Sequence, residues 1–307
     1  MSAHYVAGRR PGCTCCRASA TWTRPWGAGH CKLPNVNGEV ASGVVLRECG
    51  DPAHPGILLW PGLGATGAYF AEVAGALPGR AVAADPPGFG GSPALDPCTY
   101  ERLVEVARAT IGQRGCTAMV GHSLGAHVAL GVGCDPPAIV LIDGGFLTAT
   151  DFNELGMPVL SGRTELAAWM QSNEPRYPDW ATATRRLAEM FSADVTPALE
   201  AYVRDVMVEV DGEVRRAASP EQMAALLLAV VSQDVVALAR RLEVPTLLIA
   251  CGQPPSSRPV RERAWRAFVA AAPMVELHVA DDWGHNPVLQ APEASSGLIA
   301  DWLRAHI

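Results

Sequence analysis

The sequence predicts an α/β fold, a mostly parallel, doubly wound sheet interrupted by a single helical insertion. Three features carry that expectation. Short, continuous apolar runs recur along the chain, as strands covered on both faces require. Stretches with helical spacing separate them, and strand–helix alternation implies a parallel sheet. One interval, 146–241, breaks the rhythm with helical patterns and no convincing strand.

The first strand is expected over Gly43 to Glu48, with Asp51-Pro52 turning the chain. Buried strands follow at Ile57 to Trp60, Ala81 to Ala84, Ala118 to Val120 and Ala138 to Ile142. Two more come late, at Thr246 to Ala250 and Val275 to Val279. Helical spacing marks Glu101 to Arg108 and Glu262 to Ala271, and Pro292 opens a last helix reaching Leu303. Within the insertion, helices are expected over Leu166 to Met170, Trp180 to Phe191 and Met223 to Val231. The division that results is a leader over 1–35, a sheet core over 36–145 and 242–307, and a helical cap over 146–241. Such a cap is expected above the carboxyl edge of the sheet, where open α/β sheets bind ligands.

Composition narrows the function classes. With 307 residues, 49% of them apolar and 18% charged, the chain is expected to bury a large core. A net charge of −7 disfavours a nucleic-acid partner, and no apolar run is long enough to span a membrane. Of the nine cysteines, Cys49, Cys98, Cys116, Cys134 and Cys251 are scattered singly. That pattern suits buried reduced thiols in a cytoplasmic protein. Cys13, Cys15, Cys16 and Cys31, with His30, match no common zinc-ligand spacing, so no metal is expected. Arg9-Arg10 lacks the apolar stretch of an export signal, and the leader is expected to be disordered. No glycine-rich phosphate loop follows a strand, and no cofactor is expected.

The chemistry concentrates at Gly121-His122-Ser123-Leu124-Gly125, which follows an apolar strand and opens a small-residue helix. This is the G-x-S-x-G nucleophile elbow in the context the motif demands. Its glycines remove side chains that would collide at a tight strand-to-helix turn. The helix start also directs amide dipoles at Ser123. His122 and His127 lie too near in sequence to fold back as a base and are expected to pack or hydrogen-bond.

Three further stretches accompany the elbow: Trp60-Pro61-Gly62-Leu63-Gly64, Asp85-Pro86-Pro87-Gly88-Phe89-Gly90-Gly91-Ser92 and Trp283-Gly284-His285-Asn286-Pro287. In order and spacing the four resemble the α/β-hydrolase family, over about Val36 to Ile307. The resemblance implies Ser123 as nucleophile and His285 as general base. It also implies an oxyanion hole from the backbone amides of Leu63 and Leu124. Trp60-Pro61 stands where relatives carry His-Gly; a backbone donor survives this, and Trp60 is free to shape the pocket wall.

The third triad member is less plainly marked. In much of the family an acid follows the penultimate strand, but Cys251 to Ser257 contains none. Asp143, ending the strand Ala138 to Ile142, is the best substitute, since some relatives place their acid there. A structural role in bonding loop amides is its alternative. Asp281 and Asp282, which precede His285 by four and three residues, are the alternative acids and are expected instead to hold their own loop or face solvent.

The expected activity is hydrolysis of an ester, thioester or lactone through an acyl-enzyme, on a mainly apolar small carbonyl compound. A noncatalytic binder, or a lyase or peptidase using the same pocket, is the alternative. Met157, Leu160, Trp169, Met170, Tyr177, Trp180 and Met207 are candidates to line an apolar pocket, each equally explicable as helix packing.

Overall fold

Alternating side chains of each central strand are buried on opposite faces, so both faces need cover. In β3, Ile57 and Leu59 join one apolar cluster while Leu58 and Trp60 join another. A computed structural model describes residues 40–307; the expected leader, with its Cys13, Cys15, Cys16, His30 and Cys31, lies outside them. In chain order the main elements are β1 (Val40–Ala41), β2 (Val44–Cys49), β3 (Gly56–Trp60), β4 (Arg80–Ala84), α1 (Tyr100–Arg114), β5 (Cys116–His122), α2 (Leu124–Val132) and β6 (Ala138–Ile142). Then come α3 (Ala149–Glu154), α4 (Arg163–Ser172), β7 (Arg176–Tyr177), α5 (Trp180–Phe191), α6 (Pro197–Val206), β8 (Met207–Val210), β9 (Glu213–Arg216), α7 (Pro220–Val231) and α8 (Val235–Arg240). The chain closes with β10 (Thr246–Cys251), α9 (Arg258–Ala271), β11 (Val275–Ala280), α10 (Pro287–Gln290) and α11 (Pro292–His306).

The main sheet has eight strands in the order β1-β2-β4-β3-β5-β6-β10-β11. From β4 to β11 every neighbouring pair is parallel, whereas β2 pairs antiparallel with both β1 and β4. One face carries Leu103 of α1, Val128 of α2 and Trp265 and Phe268 of α9. The other is covered by Tyr69 and Phe70 after β3 and by Ile299, Trp302 and Leu303 of α11. Each expected strand of the sheet is present, Ala138–Ile142 with the expected bounds and the others shifted by at most two residues at an end.

The segment between β6 and β10 differs from expectation. It is not purely helical: β7, β9 and β8 form a three-stranded antiparallel sheet. A two-residue turn joins β8 to β9, with Asp211 at φ 54° and Gly212 at φ 79°. Asp-Gly is the favoured dipeptide for that left-handed hairpin turn. This signal was present in the sequence, beside strands too short to stand out by periodicity. The flanking helices start on side-chain caps: Thr196 accepts from Leu199 N–H and Ser219 from Gln222 N–H, each followed by proline.

A buried ionic cluster ties this segment to the sheet. Arg47 of β2 bonds Asp85 beyond β4 (3.0 Å) and Asp205 of α6 (2.8 Å), and Thr66 donates to the same Asp205. Asp85 also accepts from Gly67 N–H at 2.9 Å. The Asp85 loop thus anchors β2 and α6, a structural role. Cys98, Cys116, Cys134 and Cys251 are free thiols, but Cys49 is disulfide-bonded, against the reduced state expected there. Among the described residues no helix is long and apolar enough to cross a membrane.

Candidate active site

Parallel register brings distant residues to one edge. His122 of β5 stands beside Ile142 of β6, so the residues that follow, Ser123 and Asp143, leave the sheet together. Ser123 N–H donates to Ile142 O at 2.9 Å, and Asp143 N–H to Ile249 O of β10 at 2.8 Å. The loop after β11 delivers His285 to the same place. Its Nδ1 lies 2.7 Å from Asp143 Oδ2 and its Nε2 3.0 Å from Ser123 Oγ. With the carboxylate at Nδ1, that nitrogen carries the proton and donates it, leaving Nε2 to accept from the Ser123 hydroxyl. Asp281 and Asp282 lie elsewhere: both are exposed, and Asp281 pairs with Arg258 at 2.7 Å.

The elbow is held in a strained turn. Ser123 has φ 54° and ψ −115°, a region that L-residues seldom occupy, between the end of β5 and the start of α2. The neighbouring glycines make this possible. A Cβ on Gly121 would stand 2.3 Å from Gly125 O, and one on Gly125 would stand 2.0 Å from Trp60 O. The steric expectation for both glycines therefore applies with atoms assigned. Two further glycines pass close to the serine: a Cβ on Gly144 would lie 2.3 Å from Ser123 O, and one on Gly62 would lie 3.0 Å from Ser123 Cβ.

Asp143 is buried and sits at φ 43°. Burial by itself would raise its pKa. The hydrogen bond and charge of His285, the charge of Arg261 and the Cys251 N–H outweigh that and hold the carboxyl below its ordinary range. Oδ1 accepts from Cys251 N–H at 3.0 Å and from the Arg261 guanidinium, leaving Oδ2 for His285. Asp143 thus bonds the last amide of β10 and the His285 imidazole at once, so the two roles weighed for it are geometrically compatible. Arg261 was not recognisable as its partner from the sequence.

The two neighbouring histidines serve the framework. His127 receives Gly145 N–H at Nδ1 (3.3 Å) and donates from Nε2 to Leu147 O (3.1 Å). His122 donates from Nε2 to the carbonyl of His285 at 2.7 Å and stacks on Tyr69, with centroids 4.5 Å apart. Burial first, and then the nearby His285, push its pKa down to about 3. His122 therefore fastens the loop that carries His285.

That depressed value has a thermodynamic consequence. Between about pH 3 and 6.5 the unfolded chain takes up a proton that folded His122 excludes. The contribution is intact above pH 6.5 and is lost progressively as pH falls towards 3. Buried His127, shifted the same way, adds to the loss. Asp143, with its lowered pKa, yields only below its ordinary 3.8. Urea midpoints should accordingly drop from pH 6.5 to 4.5, and less steeply in His122→Gln. Parallel slopes in the two proteins would remove His122 as the source.

A cavity of about 380 Å³ opens on Ser123, His285 and Asp143. Leu63 and Leu124, the residues expected to supply oxyanion amides, border it together with Gly62 and Gly64. Of the apolar candidates, Met157 and Met207 do line it, joined by Leu147, Phe152, Leu187 and Phe191. Met170 is buried in the core, Leu160 is exposed, and Trp169, Tyr177 and Trp180 pack against the clusters. Trp60 is not a pocket wall: its ring lies wholly within the core beneath the loop.

A sequence profile of the alpha/beta hydrolase family matches residues 57–296, most of the chain. The chain belongs to this family. No protein of curated function shows a sequence match. Among solved structures, the hydrolase is similar to E-2-(acetamidomethylene)succinate hydrolase, with a TM-score of 0.67 at 20% identity, covering 86% of this chain and 97% of the other. A thioesterase domain from the curacin biosynthetic pathway gives 0.62 at 22% identity, covering 89% and 99%. An esterase from Exiguobacterium antarcticum gives 0.64 at 14%, covering 87% and 99%. Identities this low establish the shared fold alone.

Proposed function

We propose that this hydrolase cleaves a carboxylic ester, thioester or lactone of a small molecule through an acyl-enzyme on Ser123. The observation that carries the reading is the continuous chain Ser123 Oγ, His285 Nε2, His285 Nδ1 and Asp143 Oδ2, with contacts of 3.0 and 2.7 Å. In this mechanism Ser123 Oγ attacks the substrate carbonyl while His285 takes its proton. The tetrahedral intermediate collapses as His285 returns that proton to the departing alcohol or thiol. Water then repeats the sequence, attacking the acyl-enzyme and releasing the acid and free Ser123. Asp143 keeps the Nδ1 proton in place and stabilises the imidazolium.

The intermediate's oxyanion is assigned to the backbone amides of Leu63 and Leu124, each of which is worth about 100- to 1,000-fold in rate in comparable sites. Support comes from their place on the cavity beside Ser123 and from Gly62, whose missing side chain lets the first loop approach. Residues 146–241 are assigned as a cap that closes the cavity, with Leu187 and Phe191 of α5 and Leu227 of α7 on its wall. The triad favours catalysis over the noncatalytic alternative, because a binder has no need of an oriented imidazole at a strained serine.

A fluorophosphonate probe should label the native protein stoichiometrically at Ser123, as mapped by peptide mass spectrometry, and should not label Ser123→Ala. An inert native protein would defeat the reading. Aryl esters of graded acyl length would then measure how deep the pocket is.

A further inference from the structure

Apart from Asp143, Arg216 is the one lining residue of the cavity with a permanent charge, among the described residues. It ends β9, opposite Met207 of β8. Its guanidinium lies on the loop that follows β3. A Cβ built on Gly64 would stand 3.3 Å from Met223 Sδ and 3.4 Å from Arg216 Nη1. Gly64 itself has φ +74° and leaves that space open.

The buried arginines among the described residues have carboxylates: Arg47 has Asp85 and Asp205, Arg80 has Glu48, and Arg261 has Asp143. Arg216 has none among the described residues. Its side chain contacts the Met223 sulfur at 3.4 Å, a weak acceptor that satisfies little of a five-donor group. A second polar group is in the same condition. The Tyr69 hydroxyl is buried on the cavity wall without a hydrogen-bond partner, its ring 5.9 Å from that of Tyr202. Burial pushes both phenols up, so each remains an O–H donor. A guanidinium with open donor positions and buried phenol donors, on a cavity wall that away from the triad is lined mainly by apolar side chains, is a donor set for a planar anion.

We propose that Arg216 sets the specificity of this site by receiving a carboxylate carried on the substrate, which makes the preferred substrates apolar esters or thioesters bearing one free carboxylate. The proposal rests on the hydrolase reading above and names its substrate class. The carboxylate belongs either to the acyl part, as in half esters of dicarboxylic acids, or to the alcohol part. The chemistry at Arg216 is the same for both.

The test compares kcat/KM for three sets of aryl esters. These are half esters of C4 to C8 dicarboxylic acids, matched straight-chain monocarboxylic esters, and the same monocarboxylic acids esterified to 4-hydroxybenzoate. One charge-assisted contact predicts a preference of about ten- to a hundredfold for one charged set over the neutral set. In Arg216→Met this preference should vanish, mainly through a raised KM for the charged esters. Arg216→Lys should restore part of it. Which charged set is preferred assigns the end of the substrate that Arg216 holds. Equal rates on all three sets, or a uniform loss in Arg216→Met and Arg216→Lys, would overturn the proposal.

Failure of the hydrolase reading has a different signature: no turnover of any ester and no fluorophosphonate label on Ser123. Calorimetry with glutaric acid monoanilide and pentananilide then decides for Arg216 alone. Tighter binding of the charged anilide, abolished in Arg216→Met, sustains the carboxylate site; equal binding overturns it.

Discussion

His285→Ala is expected to lower kcat on an aryl ester by about 10⁵- to 10⁶-fold, the loss seen when one member of such a catalytic unit is removed. The geometry sets the size of the effect. The Ser123 hydroxyl has its hydrogen-bonding nitrogen at 3.0 Å, and without it the hydroxyl must attack at its own high pKa. Ser123→Ala should fall equally far, and the double variant no further, because the two side chains act as one device. The readout is single-turnover kinetics, with folding checked by far-UV circular dichroism. A residual rate within a hundredfold of native in His285→Ala would dismiss the imidazole as base. Since His285 is half-exposed while its backbone carbonyl is held by His122, the substitution should leave the fold intact.

The second large effect concerns the acid. Asp143→Asn should reduce kcat by about 10⁴-fold, because an amide facing Nδ1 favours the wrong tautomer. Asp282→Asn, on an exposed residue of the neighbouring loop, should change it by less than about twofold. A cost in stability is also expected. Arg261 is 5% exposed and loses its carboxylate, and an uncompensated buried charge of this kind typically costs about 3–5 kcal/mol. Rates must therefore be compared well below the melting temperature of the variant. Small and equal losses from both substitutions would leave Asp143 with only its structural contacts to Cys251 N–H and Arg261.

The sheet was legible in the sequence because strands buried on both faces cannot hide their composition. Ala138–Ile142 and the five residues after Thr246 in Thr246–Cys251 are uninterrupted apolar runs for that reason. The elbow was legible because its pattern is local, although only Gly121 is enforced by neighbours in sequence, Gly125 O and Ala126 N; Gly125 is enforced by the Trp60 carbonyl of β3. The sheet β7-β9-β8 was not, since strands of two to four residues carry too little periodicity. Trp60 shows the same limit from another side. An aromatic before a catalytic loop suggests a pocket wall, yet the pleat of β3 turns its ring into the core.

The sequence by itself determined the class of fold, the strained serine and the late histidine, because each depends on residue types in fixed local order. Tertiary structure alone decided what surrounds them. The pairing of Asp143 with both His285 and Arg261 depends on strand neighbours more than a hundred residues apart. Arg216 of β9 likewise packs over Gly64 after β3 from a different sheet and a distant part of the chain, which gives the cavity its one uncompensated permanent cation among the described residues. Register and close approach join these positions in space, and neither is written in the spacing of residues along a chain.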